Sequence, residues 1–201
     1  VFDRYLSEID PMRVYFLSSD IKDFSAYRYS LDDALVTGDA SPAFKIYGRY
    51  ETRLAQRLTF LIRSIDGGLK GLNLDEPDSF ETNRENTPWP SSQAELEGLW
   101  MKALKSEVLN LRLEGKSMEE IGKTLSKRYH NQLKRVSQTT SEDVFQIFME
   151  ALTTSYDPHS EYYSPRSSEN FNINMSLSLE GIGAMLSVDN EYTKVVHLIP
   201  A

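Results

Sequence analysis

The chain has 201 residues, 40% hydrophobic and 26% charged, a composition typical of a globular protein with one or two domains. It has no cysteine, which excludes disulfides, thiolate zinc sites and cysteine nucleophiles. The formal net charge of −8 disfavours broad attraction to nucleic acid or anionic membranes, and no long apolar run is present that could span a bilayer.

The first three quarters of the sequence predict helices. Residues 18–20 offer N-caps for a helix with apolar residues at helical spacing, and Gly38 is its predicted end. Ser41 followed by Pro42 predicts an N-cap and a proline at the first helical position, where the missing N–H costs nothing. The glycines at 67 and 68 predict the end of this second, long helix.

Two later helices begin with capping-box patterns. Ser92 is followed three residues later by Glu95, and Ser117 by Glu120, so that each pair can satisfy two free backbone N–H groups. A further helix is predicted to begin near Ser141.

The pattern changes beyond Tyr156. Apolar residues alternate with Asn and Ser along residues 171–179, which predicts a half-buried strand. Short apolar segments at 184–188 and 195–199 predict a hairpin. The fold class is therefore predicted as mainly α, followed by the first strands of a β domain. The predicted boundaries are a helical domain at 1–155, a linker at 156–170 and an incomplete β domain at 171–201.

Asp157, His159 and Ser160 are the ingredients of a hydrolytic triad, but they are nearly consecutive. Triad side chains must converge within hydrogen-bond reach, which usually requires separate segments. We therefore interpret this segment as a structural turn in which Asp157 bonds its own backbone. His130 and His197 are isolated in sequence, which favours structural or surface roles over metal binding.

Residues 102–135 contain nine Lys or Arg and four Asp or Glu, and residues 117–129 superficially resemble a helix-turn-helix. A basic patch is the expected footprint of phosphate contact. However, the apolar stripe runs continuously through Gly122 and Leu125, with no compact turn leading to a second short helix. A solvated basic helix face is the favoured interpretation, and nucleic-acid binding is a remote alternative.

The segment from Leu179 to Leu186 has glycines on both sides of an apolar residue, Gly181-Ile182-Gly183. Such a pattern lets successive backbone N–H groups point towards one anion, and the strand that follows offers its edge to a peptide. This arrangement is typical of C-terminal carboxylate capture by strand addition. A glycine bulge at the start of a strand explains the same residues without a ligand.

Several segments resemble the corresponding parts of tail-specific (C-terminal processing) proteases. They are FDRYL at 2–6, IDP at 9–11, VYFLSSDI at 14–21 and YDPHSEYYSP at 156–165. Gly181-Ile182-Gly183-Ala184 resembles the GLGF-type loop of the PDZ domain that follows in these proteases. The order and spacing match over essentially the whole chain, nearest the longer gammaproteobacterial periplasmic form.

The resemblance implies a helical N-terminal domain, a PDZ domain that receives polypeptide substrates with apolar C-termini, and a Ser–Lys dyad without a cofactor. It places the carboxylate on the backbone of residues 181–184, with Leu179, Ile182 and Leu186 lining a pocket for the last side chain. It also implies a periplasmic location, with the signal peptide missing here, and in some members an adaptor lipoprotein on the helices. No serine or lysine matches the dyad motif, so this chain is expected to be non-catalytic and to stop within the PDZ domain.

The alternative from another class is a stand-alone helical adaptor or scaffold without enzymatic activity. The sequence beyond Ala201 separates the two, because a protease requires a serine motif and a lysine motif there.

Overall fold

The computed structural model describes residues 1–69, 72–176, 183–189 and 192–198. Over these ranges it contains eight α-helices, one short 3-10 helix and two strands. These are α1 (Phe2–Ile9), α2 (Ser18–Phe24), a 3-10 helix (Ser25–Tyr27), α3 (Leu31–Val36), α4 (Ser41–Asp66), α5 (Gln93–Leu113), α6 (Met118–Val136), α7 (Ser141–Tyr156), α8 (Pro165–Ser176), β1 (Ala184–Asp189) and β2 (Tyr192–Leu198).

The chain divides into two compact units, Val1–Tyr162 and Tyr163–Ala201. The first contains α1 to α7, and the second contains α8 and an antiparallel pair formed by β1 and β2. The protein is therefore mainly helical with a small sheet, as predicted. The domain boundaries expected from the sequence, after residue 155 and after residue 170, stay predictions.

Helix α4 organises the first unit because its 26 residues extend through two separate hydrophobic cores. At about 1.5 Å per residue, such a helix is about 39 Å long. Its first turns bury Ala43, Ile46 and Tyr47 against α1, α2 and α7. Its last turns bury Leu58 and Leu61 against α5 and α6, together with Trp100, Leu104, Val108, Ile121 and Leu125.

The ends of α4 follow the predicted local signals. The helix begins at Ser41, one residue earlier than predicted, with Pro42 in its first turn and Ala40 as the N-cap. The Asp39 carboxylate accepts a hydrogen bond from the Ser41 N–H at 2.9 Å. Gly67 is the C-cap, as predicted.

The single helix predicted over residues 18–38 is wrong, because the segment forms α2, the 3-10 helix and α3. At the first interruption a serine side chain competes with the backbone for hydrogen bonds, whereas Ser30 makes no side-chain capping bond at the second. The Ser25 hydroxyl donates to the carbonyl of Lys22 at 2.6 Å, and Ser30 precedes α3 as its N-cap. Gly38 ends the segment with a positive φ of 76°, as predicted.

The capping box predicted at Ser117 and Glu120 is confirmed. Glu120 N–H donates to Ser117 Oγ at 3.3 Å, and the Glu120 carboxylate accepts from Ser117 N–H at 2.9 Å. At α5 only half of the prediction holds: Ser92 Oγ accepts from Glu95 N–H, but the Glu95 carboxylate accepts from the N–H of Ser91, at 2.7 Å. Helix α7 begins at Ser141, as predicted.

The strand predicted from residue 171 is wrong as far as residue 176, because Pro165–Ser176 forms α8. Ser164 Oγ accepts a hydrogen bond from Ser167 N–H at 3.3 Å, and Pro165 follows it at the first helical position. This is the start signal of a capped helix. The apolar residues of α8 are largely exposed, so the alternation does not reflect burial in a sheet.

We expect residues 1–162 to fold without the second unit, because both cores lie within them. Tyr162 belongs to this unit: its N–H donates to the Glu150 carboxylate at 3.1 Å, and its ring lies 5.9 Å from that of Phe145. Urea unfolding followed by circular dichroism should give one cooperative, helix-rich transition. A chain ended at Asp157 lacks these contacts and should unfold at lower urea. A non-cooperative or largely β protein from residues 1–162 would contradict this prediction.

Candidate functional site

The predicted carboxylate-binding segment lies at the start of the hairpin. Gly183 has a φ of +65°, in the left-handed region that favours glycine. Ala184 follows it as the first residue of β1. Three of the six predicted site residues lie outside the described residues: Leu179, Gly181 and Ile182. The structure thus places Gly183, Ala184 and Leu186 on one continuous segment.

Strand β1 has a strand neighbour on one side only in the part of the chain that the structure describes. It pairs with β2 from Ala184 opposite Leu198 to Asp189 opposite Tyr192, with a shift in register between Met185 and Leu186. The side chain of Leu186 is half exposed. A strand with one unpaired edge can add a further chain through its backbone N–H and C=O groups.

The segment around Asp157 forms the predicted turn and not a triad. Asp157 Oδ1 accepts from the N–H of His159 at 3.1 Å, and the Asp157 carbonyl accepts from the N–H of Ser160 at 3.0 Å. The Ser160 hydroxyl lies 3.4 Å from Asp157 Oδ2. A triad instead requires the serine hydroxyl to bond the imidazole.

The isolated histidines lie on separate elements. His130 is on α6, where its Nδ1 lies 2.9 Å from the carbonyl oxygen of Ser126, one turn earlier. His197 is on β2 with an exposed side chain. The described ranges contain no group of three or more His, Asp or Glu placed to bind a metal ion.

The basic stretch forms the continuous helix α6 and part of α5, with no turn at the position that a helix-turn-helix would require. Several of its cations are paired on the surface. Lys123 lies 2.6 Å from Glu119, and Arg128 lies 3.0 Å from Glu107. The solvated basic face is therefore the interpretation that the geometry favours.

The N-terminal motif at residues 9–21 is folded around buried Asp10. Its carboxylate accepts hydrogen bonds from the N–H groups of Val14, Tyr15 and Phe16 at 2.9, 3.0 and 3.0 Å. Burial raises the pKa of Asp10, and these N–H groups and the charge of Arg57 oppose that rise. The carboxylate thus closes a tight loop between α1 and α2.

A row of three arginines on α4 binds the rest of this motif. Arg49, Arg53 and Arg57 are spaced four residues apart, so they share one face of the helix. Arg49 Nη1 lies 2.6 Å from Asp20 Oδ1, and Arg53 Nε lies 2.9 Å from Asp20 Oδ2. Arg57 Nη1 donates to the Tyr15 hydroxyl at 2.9 Å. Sequence reasoning missed this row, although the spacing is readable in the sequence.

The comparison with known proteins decides the family. The family model of the tail-specific protease N-terminal domain matches residues 1–166. The tail-specific protease of Haemophilus influenzae is 36% identical over 201 residues, which is 100% of this chain and 28% of that protein. The chain belongs to the tail-specific protease family. It spans about 28% of the length of this curated relative.

The family assignment confirms the resemblance found in the sequence. The matched residues 1–166 contain the whole first unit, so the loop around Asp10 and the arginine row lie within the family's N-terminal domain. The hairpin lies beyond residue 166 and is covered by the relative from Haemophilus influenzae. Within the described ranges, no helix is long and apolar enough to cross a membrane.

Proposed function

We propose that the chain is the non-catalytic N-terminal part of a periplasmic serine endopeptidase that recognises proteins by their C-termini. Its helical unit is the N-terminal domain, and its hairpin begins a PDZ domain. The observation that carries this proposal is the match of the whole chain to a tail-specific protease at 36% identity. The alternative of a stand-alone helical adaptor has no comparable support.

The recognition step rests on the backbone around Gly183. Gly183 has a positive φ, and a left-handed residue next to a right-handed one turns successive N–H groups towards one point, which forms a nest for an anion. In the proposed complex, the N–H groups of residues 181–184 donate to the terminal carboxylate of the substrate. Charge-assisted hydrogen bonds of this kind are about twice as strong as neutral ones, so a free C-terminus is favoured over an internal segment.

The substrate then pairs with β1 as an added strand. Residues 184–188 have one edge free of β2 in the described structure, and main-chain hydrogen bonds along this edge supply affinity for any sequence. Selectivity comes from a pocket for the last side chain, for which Leu179, Ile182 and Leu186 are the candidate residues. Apolar walls favour an apolar terminal residue because its burial removes apolar surface from water.

Peptide hydrolysis takes place elsewhere in the protein, on a Ser–Lys dyad. In such a dyad the lysine must be neutral to accept the serine proton. Burial disfavours the charged ammonium and lowers the pKa of the lysine, which favours the neutral amine. The reaction requires no cofactor. The helices of the first unit offer a surface on which an adaptor lipoprotein can bind the protease.

The chain alone is expected to lack peptidase activity, whereas the full-length protein should degrade an unstructured substrate that ends in apolar residues. Product formation can be followed by gel electrophoresis and mass spectrometry. As a control, the isolated chain is added to the full-length protein, because an inhibitory impurity in the chain preparation would then lower the measured activity. Cleavage by the purified chain that persists after repeated purification would contradict the assignment of the chemistry to the rest of the protein.

A further inference from the structure

The loop between α4 and α5 is long, and its described part, residues 72–92, is held at both ends. Leu72 and Leu74 pack against the hydrophobic core at the end of α4. At the other end Trp89 packs against the core at the start of α4, and the Pro90 carbonyl accepts a hydrogen bond from the first N–H of α2 at 2.8 Å. Loops longer than about 12–15 residues are uncommon in compact domains unless they carry a function.

The second of these ends is reinforced by Arg13, in the loop between α1 and α2. Its guanidinium donates to the Thr87 carbonyl, and its Cζ lies 5.1 Å from the centre of the Trp89 ring. Arg13 has a positive φ of 52°, a conformation that a residue other than glycine keeps only where its surroundings hold it. The Trp89 ring also lies 6.0 Å from that of Phe16. Residues 87–90 are therefore anchored to the loop between α1 and α2.

The middle of the long loop, residues 75–83, has weaker contacts. Among the described residues, no backbone hydrogen bond joins it to another segment of the protein. Its polar contacts with the helices, in the part of the chain that the structure describes, come from two lysines of α5. Lys102 Nζ lies 3.0 Å from Asp78 Oδ1, and Lys105 Nζ donates to the Glu76 carbonyl at 2.8 Å. The Lys102 and Asp78 side chains are 41% and 34% exposed, so water and salt weaken their attraction.

The same middle segment forms one wall of a cavity of about 500 Å³ in the first unit. Phe80 and Thr82 line the cavity from the loop, and the other walls come from α1 and the loop after it, α4 and α5. Thr82 is exposed and Phe80 is half-buried, so this wall separates the cavity from solvent. Trp100 on α5 forms part of the apolar lining. Solvent can therefore reach the cavity once the middle of the loop moves away.

We propose that residues 75–83 form a lid on this cavity, which opens while both ends of the loop stay in place. Phe80 is the one large apolar side chain in the lid, so opening disturbs neither hydrophobic core. Proteins open locally where few apolar contacts hold a segment, at a free energy well below that of global unfolding. Access of uncharged small molecules to the cavity is then controlled by the two lysine contacts. The lid belongs to the first unit, so it is independent of the function proposed for the hairpin.

The test measures solvent access to Trp100, which is 1% exposed and lines the cavity. The chain contains two tryptophans, so labelling with 5-fluorotryptophan gives two ¹⁹F NMR signals, and Trp89→Phe assigns them. An uncharged gadolinium chelate in the solvent broadens each signal according to its accessibility. Trp89 lies at an anchored end of the loop, which makes its signal an internal control.

The double variant Lys102→Gln, Lys105→Gln removes both lysine contacts of the lid. It should increase the broadening of the Trp100 signal by about two- to fivefold, the scale on which an exposed ion pair shifts an equilibrium, and leave that of Trp89 unchanged. Raising NaCl to about 1 M should act in the same direction on the unsubstituted chain, because the Debye length falls to about 3 Å.

Lys123→Gln is the matched control, since it breaks an exposed pair with Glu119 on α6, outside the cavity lining, and it should leave both signals unchanged. A Trp100 signal that responds neither to the double variant nor to salt would overturn the proposal. Equal changes at Trp100 and Trp89 would also overturn it, because the whole loop would then detach. The salt series on the unsubstituted chain decides the question even if the double variant fails to fold.

Discussion

Replacing Asp20 by alanine is expected to lower the free energy of unfolding by about 3–5 kcal/mol, the cost of breaking a buried ion pair by removing one partner. The side chain of Asp20 is 1% exposed and lies between two arginines of α4. It also accepts from the N–H of Leu17 at 3.0 Å, at the start of α2. The substitution therefore leaves Arg53, which is only 13% exposed, without its carboxylate.

Urea unfolding of both proteins at pH 7 measures this difference. Asp23→Ala is the control, because it removes the same charge from an exposed position on the same helix. That control should change the stability by less than about 0.5 kcal/mol. Equal effects of the two substitutions would show that the Asp20 cluster does not stabilise the N-terminal segment.

The contribution of Asp20 should depend on pH. Burial acts to raise the pKa of this carboxyl, but hydrogen bonds from Arg53, Leu17 and Arg49 and the charge of Arg53 outweigh it, and the net pKa is lowered. A lowered native pKa stabilises the fold above the unfolded value of about 4, and this stabilisation is lost as pH falls through the native pKa. The gap between the protein and Asp20→Asn should therefore narrow towards pH 2. A constant gap from pH 7 to pH 2 would contradict this assignment.

Gly183→Val in the full-length protein is expected to weaken binding of peptides with free apolar C-termini at least about tenfold, which corresponds to about 1.4 kcal/mol. A β-branched residue strongly disfavours the positive φ of this position, and the altered backbone withdraws N–H groups from the carboxylate. Fluorescence anisotropy with a labelled peptide measures the affinity.

The matched control is Gly115→Val, because Gly115 also has a positive φ, of 86°, and an added Cβ would meet open space. It lies in the loop between α5 and α6, in the first unit. This control should carry the same backbone strain without loss of peptide affinity. An unchanged affinity in a folded Gly183→Val protein would place the site elsewhere.

The parts of the fold that depend on neighbouring residues could be predicted from the sequence. The capping box at Ser117 and Glu120 and the ends at Gly38 and Gly67 each rest on contacts within about four residues. The strand predicted from residue 171 also rests on neighbouring residues, and it is wrong as far as residue 176. The start signal at Ser164-Pro165 is also local, and a prediction from the alternation alone missed it.

The interactions between distant segments could not be predicted in this way. Asp20 bonds Arg49 and Arg53, about 30 residues away in sequence, and only the folded structure reveals this pairing. The same holds for Arg84, whose burial in an irregular loop has no periodic signal. For the carboxylate segment, Gly183 has a positive φ, which glycine favours, and the binding of a carboxylate there is a proposal.

We propose that the segment at 181–184 binds the terminal carboxylate of a polypeptide. The most direct measurement compares two peptides of identical sequence ending in an apolar residue, one with a free C-terminus and one amidated, binding to the full-length protein. Amidation removes the negative charge and leaves every side chain unchanged. We predict that the free peptide binds at least about tenfold more tightly, and that Gly183→Val removes most of this difference. Equal affinity of the free and amidated peptides would contradict the account.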